Sequence, residues 1–197
     1  VRSVLIAILI GFSPFFTQAQ YWIWGKKVSG NLLQDGASIA ISPNDNIYVT
    51  GEYTGAAVYE NDTLPQPPSN DALYVLSLNP DGSKNWIKRW YGSGKINSLA
   101  LDADEQDNVF VTGGYNAGIY TSIDTFIIRK PTNASWETYL MKLDSLGNIL
   151  WLKQLQCTEP DSVYPSDIHY SNSSIFVFNR SNFLLSISSN PVVFIGA

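Results

Sequence analysis

Short segments in which apolar and polar residues alternate recur along the chain, and they recur in the same order about every 65 residues. One unit contains NIYVTGEY at 46–53 and ALYVLSLNPDGSKNW at 72–86. The next unit contains NVFVTGGY at 108–115 and TYLMKLDSLGNILW at 138–151. Alternation with period two is typical of half-buried β-strands, and a long fixed period of such strands indicates a repeat architecture.

The second unit shows the predicted elements most clearly. The pattern predicts strands at 98–102, 108–115, 123–129, 139–143 and 149–154. The last two form a hairpin whose turn, DSLGN, offers Asp to begin the turn and Gly to take a positive φ; NPDGS is the equivalent turn of the first unit. Patterns with a helical period are absent beyond the N-terminal apolar stretch, so we do not expect a parallel βαβ architecture.

Four core strands per unit, in meander order and with one aromatic motif each, describe a β-propeller blade. The pieces Ser-(Leu/Ile)-Ala, Asn-(Ile/Val)-(Tyr/Phe)-Val-Thr-Gly and Leu-(Asn/Asp)-x-x-Gly-x-x-x-Trp resemble the bacterial SBBP-type β-propeller repeats over roughly 21–178. A third copy is degraded, because IFVFN at 175–179 stands where Val-Thr-Gly should be. The resemblance implies an all-β fold of propeller-type repeats in a secreted, often large, protein. We expect two full blades and a partial third, an incomplete propeller.

The repeats set the expected domain limits. These are a signal peptide at 1–19, a first repeat with a leading outer strand at 20–85, a second repeat at 86–150 and a partial third repeat at 151–197. The leading strand, YWIWGKKV at 21–28, aligns with the outer strands that begin at Trp86 and Trp151, so we expect it to close a ring by joining a last blade. Because a ring needs at least four blades, we expect an N-terminal fragment of a longer protein. If the chain is full length, it must form an oligomer to close a ring.

The first 19 residues have the features of a secretory leader. Arg2 supplies a positive start, 4–16 is apolar, and Thr17-Gln18-Ala19 has small residues where signal peptidase cleaves. A membrane anchor is disfavoured, because the apolar stretch is shorter than the roughly 20 residues that span a bilayer. We therefore expect a secreted, extracellular or periplasmic protein, without stable membrane insertion after cleavage. The resemblance to SBBP-type repeats implies that it is bacterial.

Composition narrows the partners and the chemistry. The chain has 17 acidic and 12 basic residues, a net charge of −5, which argues against nucleic acid as a partner. Cys157 is the only cysteine, so no intrachain disulfide can form. With His169 as the only histidine, most zinc sites are excluded as well, since these need several His or Cys ligands.

The densest acidic cluster is DADEQDN, which places Asp102, Asp104, Asp107 and Asn108 in one loop. Calcium takes six to eight oxygen ligands, and alternating Asp residues can supply them, so calcium remains an open alternative. Loops between strands also favour Asp and Asn, and the pattern lacks the Gly and Glu of an EF-hand. The sequence favours a turn.

Recurring tryptophans offer a second candidate surface. Trp86 and Trp151, preceded by Trp22 or Trp24, recur in register and are expected to pack between neighbouring blades. The alternative is a platform on which sugars stack. Trp136 does not recur and is the better candidate for contact with a ligand. The excursion at 54–71 is interpreted as a polar surface loop, the usual place for binding sites.

Catalytic motifs are absent from the sequence, which contains no Gly-x-Ser-x-Gly, phosphate-binding Gly-rich loop or His-Glu-x-x-His. A quinoprotein-type propeller is disfavoured, because its repeats are shorter and its cofactor site needs basic groups. Glu52, Glu60, Glu137 and Asp124 are the carboxylates from which a glycosidase pair would have to come. His169 is expected to be a surface residue or one whose hydrogen bonds are satisfied. We assign no catalytic residue, cofactor ligand or metal ligand.

These patterns together predict a non-catalytic binding or structural module of the cell surface. Its expected partners are surface proteins or glycans, met through the loops between strands. The alternative is the propeller portion of a secreted carbohydrate-active or other hydrolytic enzyme whose catalytic groups lie outside this chain. Fold resemblance alone does not decide between the two.

Overall fold

The computed structural model describes residues 23–68, 71–92, 94–116, 120–123, 126–129, 136–155, 165–179 and 192–196. Within these ranges the chain forms strands and no helix. The predicted leader at 1–19 and Cys157 lie outside the described residues. The strands are β1 (Ser29–Gly30), β2 (Gln34–Ile41), β3 (Ile47–Thr54), β4 (Ala57–Tyr59), β5 (Asp62–Leu64), β6 (Asp71–Leu78), β7 (Lys84–Tyr91), β8 (Lys95–Ile96), β9 (Ala100–Ala103), β10 (Val109–Asn116), β11 (Tyr120–Ile123), β12 (Phe126–Arg129), β13 (Glu137–Leu143), β14 (Ile149–Leu155), β15 (Pro165–Ser171), β16 (Ser174–Asn179) and β17 (Val192–Gly196).

The first sheet is an antiparallel meander of four strands in the order β2-β3-β6-β7. Its last hairpin turns at NPDGS, where Gly82 has a φ of 80° and donates its N–H to the carbonyl of Asn79 at 2.9 Å. Gly147 adopts a φ of 79° in the equivalent turn of the second sheet. The glycines therefore stand where a side chain would be strained, as the turn sequences predict.

The second sheet has the order β14-β13-β10, with β8 and β9 both pairing with β10 to form an interrupted inner strand. Pairing fixes the equivalence of the two sheets, because Leu101 lies opposite Val111 as Ile39 lies opposite Val49. The Ser-Leu-Ala segment at 98–100 is therefore structurally equivalent to 36–38, and not to the Ser-Ile-Ala segment at 38–40. The first sheet has a bulge between Gly36 and Ser38 where the second has its interruption.

The third sheet begins with the hairpin of β15 and β16, joined by the two residues Asn172 and Ser173. Both have positive φ, 49° and 61°, as a tight hairpin turn requires. The apolar run at 192–195 forms β17, but β17 pairs with β16 in parallel. A blade meander requires an antiparallel neighbour there, and a parallel one requires a crossover connection. The third sheet is therefore a partial and altered copy.

The excursion at 54–71 contains the hairpin of β4 and β5, which joins β1 in a small sheet of its own. Ala57, Tyr59 and Leu64 of this hairpin are buried in the core of the first sheet. The interpretation as a polar surface loop was therefore wrong, because alternate residues of this short hairpin are apolar and face inward. In the second repeat the corresponding excursion forms β11 and β12, a hairpin where the sequence predicted a single strand.

The sheets pack face to face. Val109 and Val111 of β10 pack against the first sheet, in one apolar cluster with Leu73 and Val75. Phe110, on the other face of the same strand, packs in a second cluster with Ile168 and Val177 of the third sheet. Stacked antiparallel sheets with one meander per repeat confirm the predicted all-β, propeller-type architecture.

Each sheet uses its two faces in the same way. We call the side that carries Val49, Val111 and Val177 the leading face, and the side that carries Tyr48, Phe110 and Phe176 the trailing face. The leading face of the second and third sheets packs on the trailing face of the sheet before it. The outer strands of the first two sheets end at Tyr91 and Leu155. The predicted domain limits at 85 and 150 therefore fall within these outer strands.

Candidate functional site between the sheets

Asp107 lies in the loop between β9 and β10 and contacts the equivalent loop of the first repeat. Ser42 donates its Oγ–H to Asp107 Oδ1 at 2.5 Å, and Asn44 donates from Nδ2 to Oδ2 at 3.0 Å. Asn44 also donates to the carbonyl of Glu105 at 3.1 Å. Asp107 has a φ of 61°, a conformation that Asp and Asn tolerate better than other residues with side chains. The loop therefore joins two repeats.

The charge of Asp107 is stabilised by this contact. Partial burial opposes ionisation, but hydrogen bonds from Ser42, Asn44 and their neighbours outweigh it and lower the pKa of the Asp107 carboxyl. Asp45 is the equivalent residue of the first repeat, with a φ of 64°, and it is exposed. One aspartate position thus has different surroundings in the two repeats.

Asp102 makes the corresponding contact with the third sheet. Its Oδ2 accepts the backbone N–H of Tyr170 at 2.6 Å and lies 3.2 Å from Nδ1 of His169. The ring of Tyr170 stacks on Phe110 with centroids 5.2 Å apart. His169 is largely exposed, as the sequence predicted, and it lies at the edge of this contact.

Asp104 stabilises the loop in which it lies. Its carboxylate accepts the N–H of Asn108 at 2.8 Å and the Nζ–H of Lys142 at 3.2 Å. Asp102, Asp104 and Asp107 therefore face three different partners, whereas calcium ligands converge at about 2.3–2.6 Å from one ion. Among the described residues no group of three or more His, Cys, Asp or Glu is placed to hold a metal. The geometry supports a turn that also connects repeats.

Trp86 and Trp151 pack in apolar clusters that join neighbouring sheets, as predicted. Trp86 donates its Nε1–H to the carbonyl of Ser145 at 2.8 Å, and its ring covers Gly147, where a Cβ atom would lie 3.0 Å from it. Trp24 covers Gly82 in the same manner, with 2.7 Å to a Cβ. Trp22 lies outside the described residues. Only glycine at the hairpin turn leaves room for the tryptophan of the preceding outer strand.

Trp136, the other aromatic candidate, is half-buried. Its ring lies against Gly114 of β10, at 3.1 Å from where a Cβ would stand. One side of the ring therefore packs within the second sheet.

The candidate carboxylates are spread over the molecule. Burial raises the pKa of Glu52, and the charges of Asp35, directly opposite on β2, and Asp71 raise it further. Glu60 pairs with Lys26, and Glu137 is wholly buried. Asp124 lies outside the described residues. The structure thus groups Glu52 with two carboxylates and brings neither Glu60 nor Glu137 into that group.

A surface groove that the sequence did not indicate lies between the first and second sheets. It has a volume of about 390 Å³ and is lined by Lys88, Arg89, Trp90, Tyr91 and the turn at 147–149. Side chains alternate along β7, so Lys88 faces the second sheet, whereas the Arg89 guanidinium lies on the other face of the strand, 5.6 Å from the ring centroid of Tyr91. The ammonium group of Lys88 suits a ligand with acidic groups. The run KRWY at 88–91 contains one side of the groove, but its adjoining wall comes from the next repeat, so the sequence of one repeat does not reveal it.

The chain is similar to a WD repeat-containing protein. It is 25% identical over 146 residues to an uncharacterized WD repeat-containing protein of Acanthamoeba polyphaga mimivirus. The match covers 66% of this chain and 10% of that protein, so the chain spans a small part of its relative's length. No protein-family model matches the chain. WD repeats build β-propellers, in agreement with the stacked sheets. Within the described ranges no helix has the length and hydropathy of a membrane span.

Proposed function

We propose that the chain is part of an exported β-propeller-repeat protein of the SBBP type, and that it acts as a non-catalytic binding or structural module of a bacterial cell surface. Its partners are surface proteins or glycans. The proposed protein is longer than this chain and continues into further repeats; the chain matches 10% of the length of its WD repeat relative.

The observation that supports a scaffold is the use of the loop carboxylates and tryptophans in repeat-to-repeat contacts. Asp107 joins the first two repeats, Asp102 joins the second and third, and Trp86 covers the turn of its neighbour. Residues that could have carried chemistry in these loops stabilise the stack instead. The groove beside Lys88 supplies the surface for a partner with acidic groups.

Export is tested by expressing the chain in a bacterial host with its first 19 residues present or deleted. The proposal expects the intact form to leave the cytoplasm and to begin at Gln20 on N-terminal sequencing. The deleted form should stay in the cytoplasm. Retention of both forms would contradict export.

Binding is tested with arrays of bacterial surface glycans and with isolated surface proteins. Lys88→Ala should reduce binding at least about tenfold, while Lys153→Ala, a cation beside Trp151 and outside the groove lining, serves as the matched control. Equal loss in both variants would argue against the groove as the binding surface.

A second candidate function, a hydrolase in which this chain itself supplies a catalytic carboxylate, is favoured by one observation. The raised pKa of Glu52 beside Asp35 is the type of perturbation found at catalytic carboxylates. Glu52 lines neither the groove described above nor the cavity described below. Turnover of a glycan by the chain, abolished in Glu52→Gln, would favour the enzyme over the module.

A further inference from the structure

The leading face of the first sheet exposes apolar side chains that are buried in the second. Ile39 is 66% exposed and Ile41 is 62% exposed. The equivalent residues of the second sheet, Leu101 and Ala103, are 4% and 7% exposed, because they pack on the trailing face of the first sheet. The repeat itself therefore shows what kind of surface covers this face: the trailing face of another sheet of the same type.

The segment 24–28 marks the position of that other sheet. Trp24 covers Gly82 as Trp86 of the outer strand β7 covers Gly147. The segment forms no strand and has no ladder partner among the described residues. Between it and the first sheet lies a cavity of about 220 Å³, lined by Val28, Ile39 and Val49 among others. The segment stands where an outer strand would lie, and among the described residues no inner strands accompany it.

The third sheet carries a matching trailing face. Phe176 pairs with His169 on β15, as Phe110 pairs with Asp102 and Tyr48 with Ala40 in the earlier sheets. Tyr48 and Phe110 are buried by the following sheet, whereas Phe176 is half-buried. The chain thus holds both halves of one contact, an aliphatic leading face on its first sheet and an aromatic trailing face on its third.

We propose that a second copy of this chain packs the trailing face of its third sheet on the leading face of the first sheet, around Ile39 and Ile41. The contact continues the head-to-tail stacking already present within the chain. The segment 24–28 then lies beside the partner's third sheet, where its backbone can pair as an added outer strand. A contact between two different faces either closes into a ring or propagates. This proposal is independent of export and of the groove, and it concerns residues 1–197 by themselves. In a longer chain with further repeats, those repeats would cover the same two faces.

Association is measured by sedimentation velocity of the purified chain over about a hundredfold range of concentration. The proposal expects concentration-dependent assembly, weakened at least about tenfold by Ile39→Asp, because a carboxylate would be buried without a partner. Leu146→Asp is the matched control, since Leu146 is 68% exposed on a hairpin turn of the second sheet. Both residues lie outside the core, so each variant should unfold at the temperature of the monomeric parent.

A mixing experiment tests the head-to-tail geometry. Ile39→Asp disrupts the leading face of the first sheet and keeps the trailing face of the third intact. Phe176→Ala disrupts that trailing face and keeps the leading face intact. Each variant alone should stay monomeric, and an equimolar mixture should form a heterodimer through the two intact faces. Amides at 26–28 should gain protection from hydrogen exchange only in the mixture.

Three results would overturn the proposal. The first is a chain that is monomeric at every concentration. The second is assembly that Leu146→Asp weakens as much as Ile39→Asp does. The third is a monomer in which the thiol of Ile39→Cys is already protected from a thiol reagent. That result would mean that a segment of the same chain covers the leading face.

Discussion

The leading faces of the first and second sheets have the same pattern of residues but are buried to different extents. Val49 is equivalent to Val111, and Ile39 is equivalent to Leu101. Among the described residues, however, a complete sheet is stacked on this face of the second sheet and not on that of the first. On the first sheet the small hairpin β4–β5 and the segment around Trp24 cover part of the face and leave Ile39 exposed. Burial in a repeat protein is therefore a property of neighbouring repeats, and the sequence of one repeat does not determine it.

Truncating the two equivalent leading-face residues should give the largest difference in stability between the first and second sheets. Leu101→Ala removes a side chain buried between two sheets and should lower the free energy of unfolding by about 2–5 kcal/mol. Ile39→Ala should change it by no more than about 0.5 kcal/mol, because the side chain is exposed. Chemical denaturation at concentrations where the chain is monomeric measures both.

Equal losses in the two variants would contradict the assignment of one covered and one open leading face. An unchanged m-value in each variant is the control that the extent of unfolding has stayed the same.

The two turn glycines should show the next largest difference. Alanine at either Gly82 or Gly147 must adopt a positive φ, which costs about 1–2 kcal/mol. At Gly147 the new Cβ also meets Trp86, which is fixed by its strand and by a hydrogen bond to Ser145. We expect Gly147→Ala to cost about 1 kcal/mol more than Gly82→Ala, where Trp24 lies outside any strand and can move. Thermal unfolding of the pair checks this order, and the reverse order would place Trp24 in a rigid strand.

Replacing the two equivalent loop aspartates tests the contact between repeats. Asp107→Asn keeps the positive φ but removes the charge that Ser42 and Asn44 stabilise, and should cost about 1–2 kcal/mol at neutral pH. Asp45→Asn, the matched control on the exposed loop, should cost almost nothing.

The pH dependence of Asp107→Asn has a defined sign. The pKa of Asp107 is lowered from 3.8, so its contribution to stability is present above that value and is lost as pH falls through the folded-state pKa. The difference from the parent should therefore shrink below about pH 4. A difference that is constant between neutral and acidic pH would show that the carboxylate charge is not involved.

The smallest expected effect concerns Glu52, whose side chain faces the second sheet. Gly114 is the residue that occupies the equivalent position in the second repeat. Its pKa is raised from 4.5, so the charged form destabilises the fold, and stability is lost as pH rises through the folded-state pKa. Glu52→Gln should gain about 0.2–1 kcal/mol at pH 7, the range for like charges across strands, and nothing at acidic pH. Urea titrations at the two pH values measure this. A loss of stability at pH 7 would mean that the charge of Glu52 is needed.

Local chemistry made much of the fold predictable. Period-two alternation located the core strands, and the turn sequences located both glycines of positive φ. The recurrence of Trp86 and Trp151 in register indicated a role in the repeat, and the ring of Trp86 does cover the next turn.

Long-range pairing was less accessible. Hairpin β4–β5 has strands of three residues, too short for a periodic signal, and the parallel pairing of β17 with β16 depends on the path of the chain between them. Asp107 was recognised as part of an acidic loop, but its partners Ser42 and Asn44 lie more than 60 residues away. The groove beside Lys88 requires the turn of the next repeat. Such sites form only when sheets stack.

The most direct test of the stacking is the rate at which cysteines introduced on the two leading faces react with a thiol reagent. Ile39→Cys and Leu101→Cys would each be made in a chain whose Cys157 is replaced by serine, at concentrations where the chain is monomeric. The stack predicts that the thiol of Ile39→Cys reacts as fast as it does in denaturant. The thiol of Leu101→Cys should react slower by a factor of at least about 10³, since reaction requires the sheets to separate. Equal rates in the two variants would contradict the account.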